Sequence, residues 1–147
     1  MTTELLQTGP TPWVGVLPSL PTTRFRLFGL VGRSDGLRTG IAFANPSDSQ
    51  EAKVTVRLLD KEGKEFRRQE LAMKPLTHSS GCLDDLFTGL GRFEGTVEFV
   101  SDLPLIAMSV RSDKDMLTLL PVVSLSQDGS AKQWTPNKIE AKASKDK

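Results

Sequence analysis

The sequence predicts an all-β fold: a seven-stranded antiparallel β-sandwich with one short helical turn between strands four and five. Three observations predict it. Short apolar runs with two-residue alternation recur from Arg24 onward, turn signals rich in Gly, Asp, Asn and Pro separate them about every ten residues, and no stretch carries the period of an amphipathic helix. With 147 residues, 37% of them hydrophobic, the chain fits one domain with its own core.

The chain divides into an extended leader (1–22), a β-domain (23–124) and a disordered polar tail (125–147). Pro10, Pro12, Pro18 and Pro21 fix backbone angles and remove donors in the leader, which rules out helix there. Its one apolar run is Trp13-Val14-Gly15-Val16-Leu17, either a strand added to a sheet edge or a linker. Trp13, Val14, Val16 and Leu17 are therefore the candidate interaction residues. The tail has lost periodicity and is rich in Lys.

Within the β-domain, residues 25–31 form the first expected strand, closed by a Gly-Arg-Ser-Asp-Gly turn. Residues 37–45 form the second, with Ile41 and Phe43 on one face and Asn45-Pro46 ending it. In the third, 53–59, Val54, Val56 and Leu58 alternate with Thr55 and Arg57, the mark of a half-buried strand. Gly63 closes a hairpin into the fourth, 65–73. Phe66 there has the opposite parity to Leu71 and Met73, which calls for a bulge or a change of partner, and the charges between them suit an edge strand.

The stretch 95–111, GTVEFVSDLPLIAMSVR, reads as two strands joined by a turn at Ser101-Asp102-Leu103-Pro104. Placing Val100 opposite Leu105 sets Phe99 against Ile106, Val97 against Met108 and Gly95 against Val110, all inward. Thr96, Glu98, Ala107, Ser109 and Arg111 then face outward. Residues 116–123 form the last strand, with Leu117 opposite Val110, Leu119 opposite Met108, and Pro121 marking an edge or an end. Before the hairpin, Ser79-Ser80-Gly81 leads into a helical turn over 82–87, with Leu83, Leu86 and Phe87 turned inward and Asp84-Asp85 at its positive end. The expected core is Phe28, Ile41, Phe43, Val54, Val56, Leu58, Val97, Phe99, Ile106, Met108, Val110, Leu117 and Leu119. The strand count and turn spacing fit the immunoglobulin-like kind of sandwich, without its disulfide, since Cys82 is the one cysteine.

Chemistry is sparse. The one histidine, His78, has Ser79, Ser80, Asp84 and Asp85 nearby, but no nucleophile elbow accompanies it, and His78 with Cys82 falls short of a zinc set. Calcium takes oxygen ligands, and Asp102, Ser112, Asp113 and Asp115 offer them without the spacing of a calcium loop. Cys82 reads as a small packed side chain, although its place near a helix start favours the thiolate. Asp84 and Asp85 are adjacent on a helical turn and diverge, unlike the paired carboxylates of glycosidases. No phosphate loop occurs. Sugar-binding sandwiches use exposed Trp or Tyr; Tyr is absent here, and Trp13 and Trp134 lie outside the strands. Arg24, Arg26, Arg67 and Arg68 form a possible patch, but a net charge of +1 and the lack of interleaved aromatics argue against nucleic acid. No stretch reaches the roughly 20 apolar residues of a membrane helix, and the leader has no basic start or long apolar run of a secretory signal.

In order, GIAFANP, VTVRLLDKEGKEF, LDDLF, EGTVEFVSDLPLIAMSVR and LTLLPV resemble an immunoglobulin-like β-sandwich module that recurs in bacterial secreted and surface proteins. The resemblance covers about residues 25–123. It implies an extracytoplasmic adhesive, spacer or assembly role, with no catalytic residue to carry across. The expectation is thus a non-enzymatic structural or protein-interaction domain without cofactor, such as a building block of a bacterial surface or filament assembly, contacting a protein partner or its own copies through strand edges or the leader. The alternative is a secreted module that binds carbohydrate or Ca through loops around His78 and Asp113.

Overall fold

In the computed structural model of the protein, which describes residues 18–32, 36–114 and 116–125, the stretch 95–111 does not turn back on itself. It belongs to one strand of 21 residues. The elements run β1 (Thr22–Gly32), β2 (Leu37–Ala44), β3 (Ala52–Leu59), β4 (Glu65–Met73), β5 (His78–Cys82), helix α1 (Leu83–Leu86), β6 (Phe93–Asp113), β7 (Met116–Leu120) and β8 (Val122–Ser124). The expected seven strands become eight, joined in a single antiparallel sheet that curls into a half-barrel. The first four match expectation closely. Residues 78–82 form a strand the sequence did not announce, and Pro121 splits the expected last strand into β7 and β8.

Strand β6 makes the curl. Its first half pairs with β1 on one side and β3 on the other, and its second half pairs with β2 and β7. Between the halves, the register against β1 jumps from Arg24 opposite Val100 to Thr22 opposite Leu105, so residues 101–104 face the single residue Thr23. A mismatch of this kind bends a strand sharply. Pro104 is tolerated here because this part of β6 has no ladder partner on β1. Asp102 compensates on the other side: its Oδ1 accepts a hydrogen bond from the Lys53 amide at 2.8 Å.

Because the strand continues through the bend, its alternation continues too. Phe93, Gly95, Val97, Phe99, Leu105, Ala107 and Ser109 all face the interior and are buried. The expected hairpin register is therefore corrected: Ala107 and Ser109 point inward, while Ile106, Met108 and Val110 are half-buried on the outer face. The β7 register also moves by two residues, setting Leu119 opposite Val110 and Leu117 opposite Ser112, and both leucines are exposed.

Phe28 is corrected as well, at 44% exposure. The inward residues of β1 are Phe25, Leu27, Gly29 and Val31. Gly29 replaces a side chain at a crowded point, where an added Cβ would lie 2.7 Å from Val97 and 2.9 Å from Leu83 and Phe93. The Phe99 ring lies at the centre of the core, stacked on Phe25 at 4.7 Å and tilted against Phe43 at 5.1 Å. Leu83 and Phe87 from the helical turn are buried against this core.

Side chains hold the sheet where its ladders stop. Among the described residues, strands β1 and β2 pair only at Val31 with Arg38 and Gly32 with Leu37 before they diverge. The buried Thr39 hydroxyl then accepts from the Leu30 amide at 2.8 Å and donates to the Leu30 carbonyl at 3.0 Å. Asn45, also buried, ends β2 by donating to the carbonyls of Gln50 at 2.8 Å and Met73 at 3.0 Å. The parity break in β4 is an irregularity between Leu58 and Leu59, which face Arg67 and Glu65 and leave Phe66 to stack on Phe93 at 6.3 Å.

Two substitutions test this core. Phe99→Ala should lower stability by roughly 3–5 kcal/mol in denaturant titrations. Gly95→Ala should cost roughly 1–3 kcal/mol, since its methyl would overlap the Leu59 carbonyl oxygen, backbone that cannot rotate away.

Candidate interaction surface

Two outer surfaces of the half-barrel differ in kind. The first lies over β2. Its outward residues Gly40, Ala42 and Ala44 carry little or no side chain and form the floor of a shallow groove. Ile106, Met108 and Val110 from β6 form one wall, and His78, Ser80 and Cys82 from β5 form the other. Pro18 closes the end beside His78, Ala44 and Ile106. Beyond the β6 wall, β7 adds Leu117 and Leu119, at 54% and 39% exposure. Apolar side chains thus continue across a face where an outward strand row is ordinarily polar.

The second surface lies on the outer side of the β1, β6 and β3 row. Glu98 points outward there yet is completely buried. Arg26 Nε donates to its Oε2 at 2.7 Å, Arg24 Nη2 to the same oxygen at 3.2 Å, and Arg57 Nη2 to Oε1. Arg57 also reaches Glu65 at 3.4 Å, and Arg68 donates twice to Glu65 at 3.0 Å. Burial opposes ionisation of Glu98, but hydrogen bonds from Arg57 and Arg26, the Arg57 charge and Arg24 outweigh it and hold the carboxyl below its ordinary value. Glu65 is likewise lowered, chiefly by its hydrogen bond from Arg68. The network ties the four neighbouring strands β1, β6, β3 and β4 together through side chains and leaves an excess of arginine charge facing solvent.

Of the sequence-derived candidates, Trp13, Val14, Val16 and Leu17 lie outside the described residues, as do Asp115 and Trp134. His78 is exposed at the start of β5 opposite Ala44, whereas Asp113 is opposite Leu37, so the two stand at opposite ends of β2, about 23 Å apart. The structure does not bring them together. The four arginines are also divided. Arg24, Arg26 and Arg68 share the Glu98 face, while Arg67 donates to the Thr88 carbonyl and lies 5.7 Å from the Phe87 ring.

Among the described residues, Cys82, Asp84 and Asp85 bring three potential metal-ligand atoms within 4.8 Å of one another. Arg38 already pairs with Asp84 at 3.0 Å and Asp85 at 3.1 Å, and Asp85 accepts the Cys82 amide at 3.2 Å. Burial, ahead of the opposing Arg38 charge, pushes the Cys82 thiol up, away from the thiolate a metal requires. The donor set is spent within the protein. Also among the described residues, no helix is long and apolar enough to cross a membrane.

No family model and no curated protein matches the chain. The solved structure "Crystal Structure of Thermotoga maritima 1070" is similar to it in fold, with a TM-score of 0.52 and 17% sequence identity, covering 79% of this chain and 97% of that one.

The Glu98 network has a pH signature. Because its folded carboxyl titrates below the unfolded value of about 4.3, its stabilisation is complete above that pH and is lost as pH falls toward the lower folded value. Glu98→Gln should cost about 3 kcal/mol at neutral pH and flatten the acid limb of the stability curve, measured by thermal melts between about pH 7 and 3.

Proposed function

We propose that this chain is a non-enzymatic structural or protein-interaction domain that associates with further copies of itself through the edge strand β7. The observation that carries the reading is the contrast between two edges. Among the described residues, strand β4 pairs only with β3, and it is guarded by Glu65, Arg67, Arg68 and Glu70, the charged pattern that prevents further strand pairing. Among the described residues, strand β7 pairs only with β6, and it is the uncharged run Met-Leu-Thr-Leu-Leu, exposed along nearly its whole length. An apolar, unguarded edge beside an apolar face offers backbone groups for strand addition and side chains to bury. Two copies of one such edge satisfy each other about a two-fold axis, which makes a second copy the simplest partner.

In its finer class, the domain is proposed to be an immunoglobulin-like β-sandwich module of bacterial surface or filament assemblies, acting outside the cytoplasm. The order of its motifs supports that grouping. The alternative of carbohydrate or Ca binding receives less support, since His78 and Asp113 do not converge.

Light scattering on the eluting peaks of a size-exclusion column should give a mass that rises with concentration from 16.1 kDa toward that of a dimer. Leu119→Lys, which places a charge on the edge, should weaken this association at least about tenfold while leaving the melting curve unchanged. A chain that stays monomeric at every concentration would overturn the reading.

A further inference from the structure

The arginine face of the half-barrel holds a shallow recess of about 330 Å³, lined by Arg24, Arg57 and Arg68 together with Thr55 and Val100. It shares no lining residue with the groove over β2. The ladders set its walls in two adjoining outward rows. Arg24, Val100 and Thr55 stand side by side on β1, β6 and β3, and Arg26, Glu98, Arg57 and Arg68 form the next row across β1, β6, β3 and β4. Arg24 and Thr55 flank Val100, so their backbones are about 10 Å apart, a gap that long arginine side chains can close around one small anion.

Four guanidinium groups here face two carboxylates, Glu98 and Glu65, which between them accept six hydrogen bonds from the arginines. Each guanidinium carries five N–H donors, so donors exceed these acceptors. The buried Arg57 Nε has no hydrogen-bond partner among the described residues. Two positive charges are in excess, and one remains even when Glu70, opposite Thr55 on β4, is counted. Glu98 and Glu65 also hold the arginines in place, so less side-chain freedom is lost when a ligand arrives.

We propose that this recess binds a dianionic tetrahedral oxyanion, the group that a phosphate or a sulfate ester presents, between Arg24, Arg57 and Arg68 with the Thr55 hydroxyl as a further donor. Arginines from separate strands with a hydroxyl between them suit oxygens that point in several directions, which a planar carboxylate lacks. The excess of positive charge matches the charge of such a group.

Calorimetric titration of the full chain at fixed ionic strength, with inorganic phosphate in one arm and sulfate in the other, should show saturable one-to-one binding, and the tighter arm names the source. Arg68 is half exposed on an edge strand and pairs with Glu65 alone, so Arg68→Gln should fold and weaken binding about tenfold. Lys61→Gln removes the same charge at the β3–β4 turn, where Lys61 pairs with Glu94, and should leave binding unchanged. Thr55→Val should weaken it without altering charge, which keeps the test independent of any one variant. No saturable binding of either anion up to about 20 mM overturns the proposal. Equal losses in Arg68→Gln and Lys61→Gln overturn it too, by assigning the effect to net charge, as does a response to heparin with none to the single anions.

Discussion

The constraint on which this architecture depends is that one strand is hydrogen-bonded in both halves of the sheet. Strand β6 supplies the partner for β1 and β3 before its bend and for β2 and β7 after it. The four residues 101–104 against Thr23 set the angle between the halves, and the odd-numbered side chains on both sides of the bend meet inside. The core centred on Phe99 exists because these halves enclose it. Among the described residues, the edges left to be guarded or used are β4, β5, β7 and β8.

The bend also explains why the two outer faces differ. Before it, the outward positions of β6 and its neighbours are Glu98, Arg24, Arg26 and Arg57, long charged side chains that cover the sheet and neutralise part of their own charge. After it, the outward positions are Ile106, Met108 and Val110 over glycine and alanine of β2. One strand therefore presents an ionic network at one end and an apolar groove at the other. The network fastens strands internally; the groove and β7 edge are where apolar contact remains to be made.

Much of the fold was legible because local signals were unambiguous. In β3, strict alternation of Val54, Val56 and Leu58 with polar residues assigns the inward face, and every one of them is buried. Gly63, Asn45 and Pro121 mark chain reversals or ends where the structure has them. The stretch 95–111 was misleading for a physical reason. Ser-Asp-Leu-Pro has good turn chemistry, and a turn and a bend inside one strand differ only in which distant strands take up the hydrogen bonds, which is not local information. Phe25-Arg26-Leu27-Phe28 gave apolar residues of both parities, and Gly29 tipped the balance toward Phe25 by leaving room for Phe93. The Glu98 network carried one readable sign: an acid at an outward position between Val97 and Phe99, with arginine at two outward positions of another strand. What the sequence withheld was that β1, β6 and β3 are neighbours.

The brief contact between β1 and β2 bears on how the molecule is made. Although consecutive, these strands form only two residue pairs with each other among the described residues; the rest of β1 waits for β6 and β8, and β2 finds β5 on one edge but waits for β6 on the other. By contrast, β3 and β4 form a local hairpin that needs nothing further along the chain. During synthesis from the N-terminus, β3 and β4 can pair while β1 and β2 still display open edges, and closing those long loops is the slow step. Until β6 has left the ribosome, the chain's greatest exposure is to the wrong partner: the same unpaired strands of a neighbouring nascent copy.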